Sequence, residues 1–258
     1  MRFSANVSFL FTDVPFLDRF DRAARAGFRA VEFMWPGAVD HDDLCAAVRS
    51  SALEVSMFNL PEGNVDAGEL GLLSDPDREK EYRDGALEGL DLAQRLRCKR
   101  IHTLAGNRHP AMSRHDQLDI ARERLKWTAA KSRRSSIQVL VEPLNAHDNF
   151  RYLVPRVGDV VSLIQSVGMS DLRLLYDTYH VASMNDDVCG SLQRYFSEIG
   201  HIQVGDYPGR VEPGKGVLPF TRFFATLTKL RYSGYVGVEY QSGVQATEQT
   251  LGWMGVGP

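Results

Sequence analysis

Short apolar runs alternate with longer amphipathic stretches along the whole chain. Residues 3–9 alternate apolar and polar positions as a half-buried strand does. Phe16, Leu17, Phe20, Ala23 and Ala24 then recur at helical spacing, and Gly27 supplies a stop. Residues 30–34 read as a second strand, 44–48 as a short helix and 53–58 as a third strand. The stretch 59–76 is polar and glycine-rich, which predicts a long loop over a site. After it, 77–96 predicts an amphipathic helix with Tyr82, Ala86, Leu90 and Ala93 on one face. A fourth strand over 100–105 and a helix over 116–132 follow. Val139, Leu174, Ile202 and Val236 mark the last four strands, with helices over 156–167, 186–195 and 219–230.

This is a series of eight strand–helix units with no linker or low-complexity segment. Alternation of this kind implies a parallel sheet with right-handed crossovers. A length of 258 residues suits a closed (β/α)8 TIM barrel, expected as one domain over 1–258. A dinucleotide-binding open sheet is the weaker choice, because the first strand-to-helix turn, Phe9-Leu10-Phe11-Thr12-Asp13, carries no glycine.

Three acids close successive apolar runs: Glu142 after 137–141, Asp177 after 172–176 and Glu239 after 235–238. Gln203 lies inside the run 200–204. Barrel enzymes place their chemistry at the C-terminal ends of the strands, where these side chains fall. Carboxylate and amide oxygens suit a hard divalent cation, Mg²⁺ or Mn²⁺. Any one such acid serves equally well as a helix cap or a surface ion pair; their recurrence on barrel strands favours the metal. His201 competes with Gln203, since residues two apart share a side of a strand, but it lies deeper. His180 would orient substrate or donate to a developing oxyanion. Arg210, in a turn-rich loop after strand seven, and Arg108, after strand four, are candidates to clamp a substrate carboxylate. Glu32 would line the mouth or pair with Arg108. Phe9, Phe11, Trp35 and Phe58 would wall the pocket or simply pack.

Charge narrows the partners. A formal net charge of −3 and the absence of a basic stripe exclude a nucleic-acid footprint. No apolar run approaches the roughly 20 residues needed to cross a bilayer, and residues 1–6 read as a strand start. Cys45, Cys98 and Cys189 lack metal or redox-motif spacing and read as reduced thiols. A cytoplasmic protein acting on a small molecule is expected, with no membrane partner; a homo-oligomer stays open.

Glu142-Pro143-Leu144-Asn145, Asp177-Thr178-Tyr179-His180, Gly200-His201-Ile202-Gln203, Asp206-Tyr207-Pro208-Gly209-Arg210 and Gly237-Val238-Glu239-Tyr240 together resemble the hydroxypyruvate isomerase family. Residues 5–8, 11–16, 27–33 and 105–108 are similar to the same family. That family belongs to the xylose-isomerase-like TIM barrels, with the ketose 3-epimerases and endonuclease IV. The resemblance implies that Glu142, Asp177, Gln203 and Glu239 are metal ligands, that Glu142 and Glu239 are the acid/base pair, and that His180 and Arg210 contact substrate. It also matches Asp148 to an acidic substrate contact of the epimerases. Many epimerase relatives carry His where Gln203 stands. The implied reaction converts hydroxypyruvate to tartronate semialdehyde through an enediolate. A four-carbon 2-oxotetronate isomerase and a ketose 3-epimerase are the rivals. An endonuclease IV-like phosphodiesterase would need more His ligands and a basic face. The family usually has an acid where Val217 stands, so a loop contact is expected to be missing, and a metal-bound but silent barrel is the non-enzymatic rival.

Overall fold

The structure, a computed structural model, describes residues 1–255; the expected domain span of 1–258 reaches past them. Its strands are β1 (Arg2–Asn6), β2 (Ala30–Phe33), β3 (Glu54–Asn59), β4 (Arg100–His102), β5 (Gln138–Val141), β6 (Leu172–Asp177), β7 (Ile199–Val204) and β8 (Tyr235–Val238). They close into a barrel in chain order, so the fold is the expected (β/α)8 TIM barrel. The helices are α1 (Asp18–Arg25), α2 (His41–Ser51), α3 (Glu79–Arg95), α4 (Arg114–Ser132), α5 (Val157–Val167), α6 (Thr178–Ser183), α7 (Val188–Tyr195) and α8 (Phe220–Lys229). None of the described helices is long and apolar enough to cross a membrane. The strands read as near-continuous apolar runs because parallel strands under helices are buried on both faces.

The chain packs as two compact units. The first comprises Met1–Ser56, Asp177–Phe196 and the chain from His201 onward; the second comprises Met57–Tyr176 and Ser197–Gly200.

In the first unit β1 pairs in parallel with β2 (Asn6 opposite Glu32) and with β8 (Ser4 opposite Gly237), and β7 pairs with β8 (Gln203 opposite Gly237). The face of α1 predicted from spacing packs Phe20 edge-on to Phe16 and Phe33, with ring centroids 5.5 and 5.9 Å apart. Such pairs contribute about 0.5–1.5 kcal/mol beyond area burial. Phe224 of α8 stacks on Trp253 at 6.0 Å, and the buried Tyr240 hydroxyl meets Thr250 Oγ1 at 2.7 Å, seating the last turns against β8.

In the second unit β3, β4, β5 and β6 pair in parallel, with Asn59 opposite His102 and Val139 opposite Leu172. Helix α3 buries Tyr82, Ala86, Leu90 and Ala93, the face expected from the sequence. The Tyr82 hydroxyl meets Thr128 Oγ1 of α4 at 2.7 Å. Arg124 of α4, itself buried, donates to the Leu72 carbonyl at 2.7 Å and so anchors the expected 59–76 loop. That loop holds a single 3-10 turn, Val65–Ala67.

Among the boundaries that differ from the sequence expectation, two have a side-chain cause. Strand one ends at Asn6 and not at Phe9, because Asn6 Oδ1 accepts the Ser8 amide at 3.0 Å and turns the chain. Strand four stops at His102, and the Ala105 amide donates to the Tyr152 hydroxyl at 2.8 Å instead of to a ladder. The short helix α6 was not expected. Asp177 starts it by accepting the Tyr179 amide at 2.9 Å.

The loop after β7 is organised by one buried carboxylate. Asp206 accepts the amides of Tyr207 (2.8 Å), Gly214 (2.8 Å), Gly216 (2.9 Å) and Leu218 (3.0 Å). Val217, where the family acid was expected, is 73% exposed and ties in through its backbone amide to the Tyr207 carbonyl at 2.8 Å. Asp206→Asn turns an amide NH₂ toward two of these donors. It is expected to destabilise the fold by about 1–3 kcal/mol, read by denaturant unfolding.

Candidate active site

Five of the residues singled out from the sequence meet in the first unit. Asp177 ends β6, Gln203 lies in β7, Glu239 follows β8, His180 lies in α6, and Arg210 belongs to the Asp206 loop. Asp177 and Gln203 are fully or almost fully buried, and His180 and Glu239 are nearly so. The Arg210 guanidinium binds two carboxylates through Nη2: Asp177 Oδ2 at 2.6 Å, and Glu239 Oε1. Its Nη1 lies 3.3 Å from His180 Nε2. The Phe9 and Tyr179 rings hold the guanidinium, with centroids 5.0 and 5.1 Å away. Phe9 therefore belongs to this site, whereas Phe11 packs edge-on to Phe28 and Trp35 edge-on to His41.

Asp177 does two jobs, since Oδ1 caps α6 while Oδ2 faces Arg210. The helix-cap expectation holds for this residue, and its second oxygen is left facing the Arg210 guanidinium.

Burial dominates the electrostatics. It raises the Asp177 carboxyl above the ordinary range, against the opposing pull of Arg210. It pushes Glu239 up to about 8, again opposed by Arg210, with the neighbouring Asp177 and Glu32 charges adding to the rise. A carboxyl held there exchanges its proton near neutrality.

Gln203 shows which way an amide faces. Its Nε2 donates to Glu32 Oε1 at 2.8 Å and to Glu239 Oε2. Two carboxylate acceptors on one edge assign that edge to nitrogen. The Gln203 oxygen is turned away, buried and without a hydrogen-bond partner. A buried amide oxygen left bare in this way is an acceptor that a hard cation could use. His201 Nε2 instead lies 2.8 Å from Glu32 Oε2, so it occupies the deeper layer the sequence suggested.

Sequence reasoning missed Asn6, whose Nδ2 donates to Glu239 Oε2 at 2.6 Å, and left Glu32 between the mouth and Arg108. Glu32 binds His201, Gln203 and Ser56. The available signal was a polar residue ending the apolar run of strand one.

Glu142 belongs to the second unit. It follows β5, is buried, and its Oε2 lies 3.8 Å from His102 Nε2. Asn59 orients His102 by accepting at Nδ1 (2.9 Å) and in turn donates to Glu62 at 2.5 Å. The Tyr152 hydroxyl donates to the Glu142 carbonyl at 3.1 Å, and burial pushes that phenol upward. Asp148 and Arg108, both expected to touch substrate, are exposed. Asp148 closes a local turn with Asn145, whose Nδ2 donates to it at 2.9 Å. Arg108 lines a cleft of about 260 Å³ with Arg78, Arg151 and Gln117.

Comparison with known proteins places the chain. The hydroxypyruvate isomerase of Escherichia coli K12 is 36% identical over 254 residues, covering 98% of each chain. The 2-oxo-tetronate isomerase of Cupriavidus necator is 34% identical over 253 residues, covering 98% of this chain and 97% of that one. A crystal structure from Brucella melitensis, described as an AP endonuclease of family 2, is 33% identical with a TM-score of 0.94 and covers 98% of each chain. Residues 20–255 match the family model for the xylose isomerase-like TIM barrel. The chain belongs to the xylose isomerase-like TIM barrel family.

Proposed function

We propose that this isomerase moves a carbonyl along a small 2-oxo acid, converting hydroxypyruvate to 2-hydroxy-3-oxopropanoate, with Glu142, Asp177, Gln203 and Glu239 holding a divalent metal, Mg²⁺ or Mn²⁺. The observation that carries the metal is the bare, buried Gln203 oxygen, on a side chain whose nitrogen bonds Glu239. The likeness to a hydroxypyruvate isomerase and a 2-oxo-tetronate isomerase supports the substrate class.

When bound, such an ion polarises the substrate carbonyl and steadies negative charge on its oxygens. The protein's own groups do the rest. One of Glu142 and Glu239 takes a proton from C3, giving an enediolate, and the other delivers a proton to C2. The hydroxyl proton passes from O3 to O2, so the net change is the exchange of a ketone at C2 for an aldehyde at C3. Burial suits Glu239 to hold and return a proton near neutral pH. Arg210, gripped between Phe9 and Tyr179, presents a planar fork that matches the substrate carboxylate, and His180 orients that fork.

A four-carbon 2-oxotetronate is the second reading, favoured by the Cupriavidus relative; it needs the same groups and a longer pocket. An endonuclease reading, prompted by the description of the Brucella structure, finds less support from a formal net charge of −3 and a site of carboxylates and one amide.

The deciding assay uses metal-stripped protein on hydroxypyruvate, 2-oxotetronate and a neutral ketose. Turnover of a 2-oxo acid that returns only with Mg²⁺ or Mn²⁺ is expected; turnover of the ketose alone would remove Arg210 as a carboxylate clamp. Glu142→Gln and Glu239→Gln are each expected to lower kcat at least about a hundredfold. Arg210→Lys keeps the charge but loses the fork. Its kcat/KM on the 2-oxo acid should fall by roughly ten- to a hundredfold, the loss of one charge-assisted hydrogen bond, with little change on a neutral ketose. The metal takes the carboxylate form of Glu239, and that group holds its proton below about pH 8. Mn²⁺ binding should therefore release a proton and tighten as pH rises toward 8, measured by calorimetry in buffers of different ionisation enthalpy.

A further inference from the structure

Glu32 is outside the proposed ligand set, yet its carboxylate is fully buried in the polar cluster of the first unit. Oε2 meets His201 Nε2 at 2.8 Å and accepts from Ser56 Oγ at 3.1 Å, while Oε1 accepts from Gln203 Nε2 at 2.8 Å. It reaches across the barrel interior, because β1 and β8 lie between β2 and β7 in the strand order. Small residues make that reach available. Ser4 stands opposite Gly237, and Gly237 opposite Gln203. A Cβ on Gly237 would stand 2.2 Å from Glu32 Oε1, so the carboxylate fills the place of a missing side chain.

An amide ligand carries a hazard that a carboxylate does not: one end is oxygen and the other nitrogen, and only oxygen binds a hard cation. Something must hold the nitrogen end. Glu239 accepts from it but belongs to the proposed ligand set, which leaves Glu32 as the acceptor committed to the amide. His201 holds Glu32 in turn. Its Nδ1 is buried with no hydrogen-bond partner. A bare lone pair costs less than a bare N–H, so the ring proton sits on Nε2 and is donated to Glu32.

We infer that Glu32 is a positioning residue that fixes the Gln203 amide with its oxygen toward the divalent ion, an inference that rests on the metal reading above. The chain of control runs from His201 and Ser56 to Glu32, and from Glu32 to Gln203. In Glu32→Gln the new amide satisfies His201 and Ser56 with its oxygen and turns its nitrogen to Gln203. Gln203 must then answer with its own oxygen and present nitrogen to the metal.

The test is the Mn²⁺ dissociation constant by calorimetry, with a thermal melt for each protein. Glu32→Gln is expected to raise the constant by about ten- to a hundredfold, as loss of a partner behind a ligand does. Adding Gln203→Glu in the same chain exchanges the acid and the amide, restores a donor facing an acceptor, and should return the constant toward the wild-type value. An unchanged constant in Glu32→Gln would overturn the inference, as would a double exchange that folds but fails to recover binding. Where the single variant does not fold, the double exchange is decisive by itself. Wild-type protein that takes up no Mn²⁺ would overturn the metal reading first, before any variant is compared.

Discussion

Three carboxylates, Glu32, Asp177 and Glu239, are buried together in the first unit, and most of what surrounds them follows from that fact. An ionised carboxylate without partners costs several kcal/mol to bury. The chain meets this cost with donors drawn from separate elements: Asn6 from β1, His201 and Gln203 from β7, and Arg210 from the loop after β7. Local propensity would favour none of these residues inside a sheet. They are held by the ladder register on one side and by the acids on the other. The same burial raises the Asp177 and Glu239 carboxyls, so the feature that is expensive for folding also shifts their proton affinity upward.

The polar side chains of the first unit fall into two groups. Glu32 gathers His201 and Ser56, while Arg210 gathers Asp177, Glu239 and His180. Gln203 joins them, donating to both Glu32 and Glu239.

Much of this was readable from the chain alone. Periodicity located the eight strands, because a buried parallel strand is a short unbroken apolar run, and acids at the ends of such runs stand out. The partners did not stand out. Glu32 is one acid within a strand, and whether it points at Arg108 or at Gln203 depends on Gly237 two strands away, which no local pattern encodes. Asn6 reads as an interior position of strand one, and that its side chain holds Glu239 is a long-range contact. Arg108 and Asp148 lie in loops whose motifs resemble contacting ones; both side chains are exposed, and Asp148 bonds Asn145. Helix α6 escaped because its six residues are too few for periodicity to register.

The loop held by Asp206 separates what must stay from what can change. Arg210 sits at φ +52°, in the left-handed region, and is kept there by its neighbours and not by its own preference. The four amides that secure the loop come from the backbone and leave side chains free, Val217 among them. Tip residues can therefore be exchanged over generations without moving the cationic anchor. A barrel built this way can change its exposed loop tip while the buried carboxylate that secures the loop, and the guanidinium the loop carries, are inherited intact.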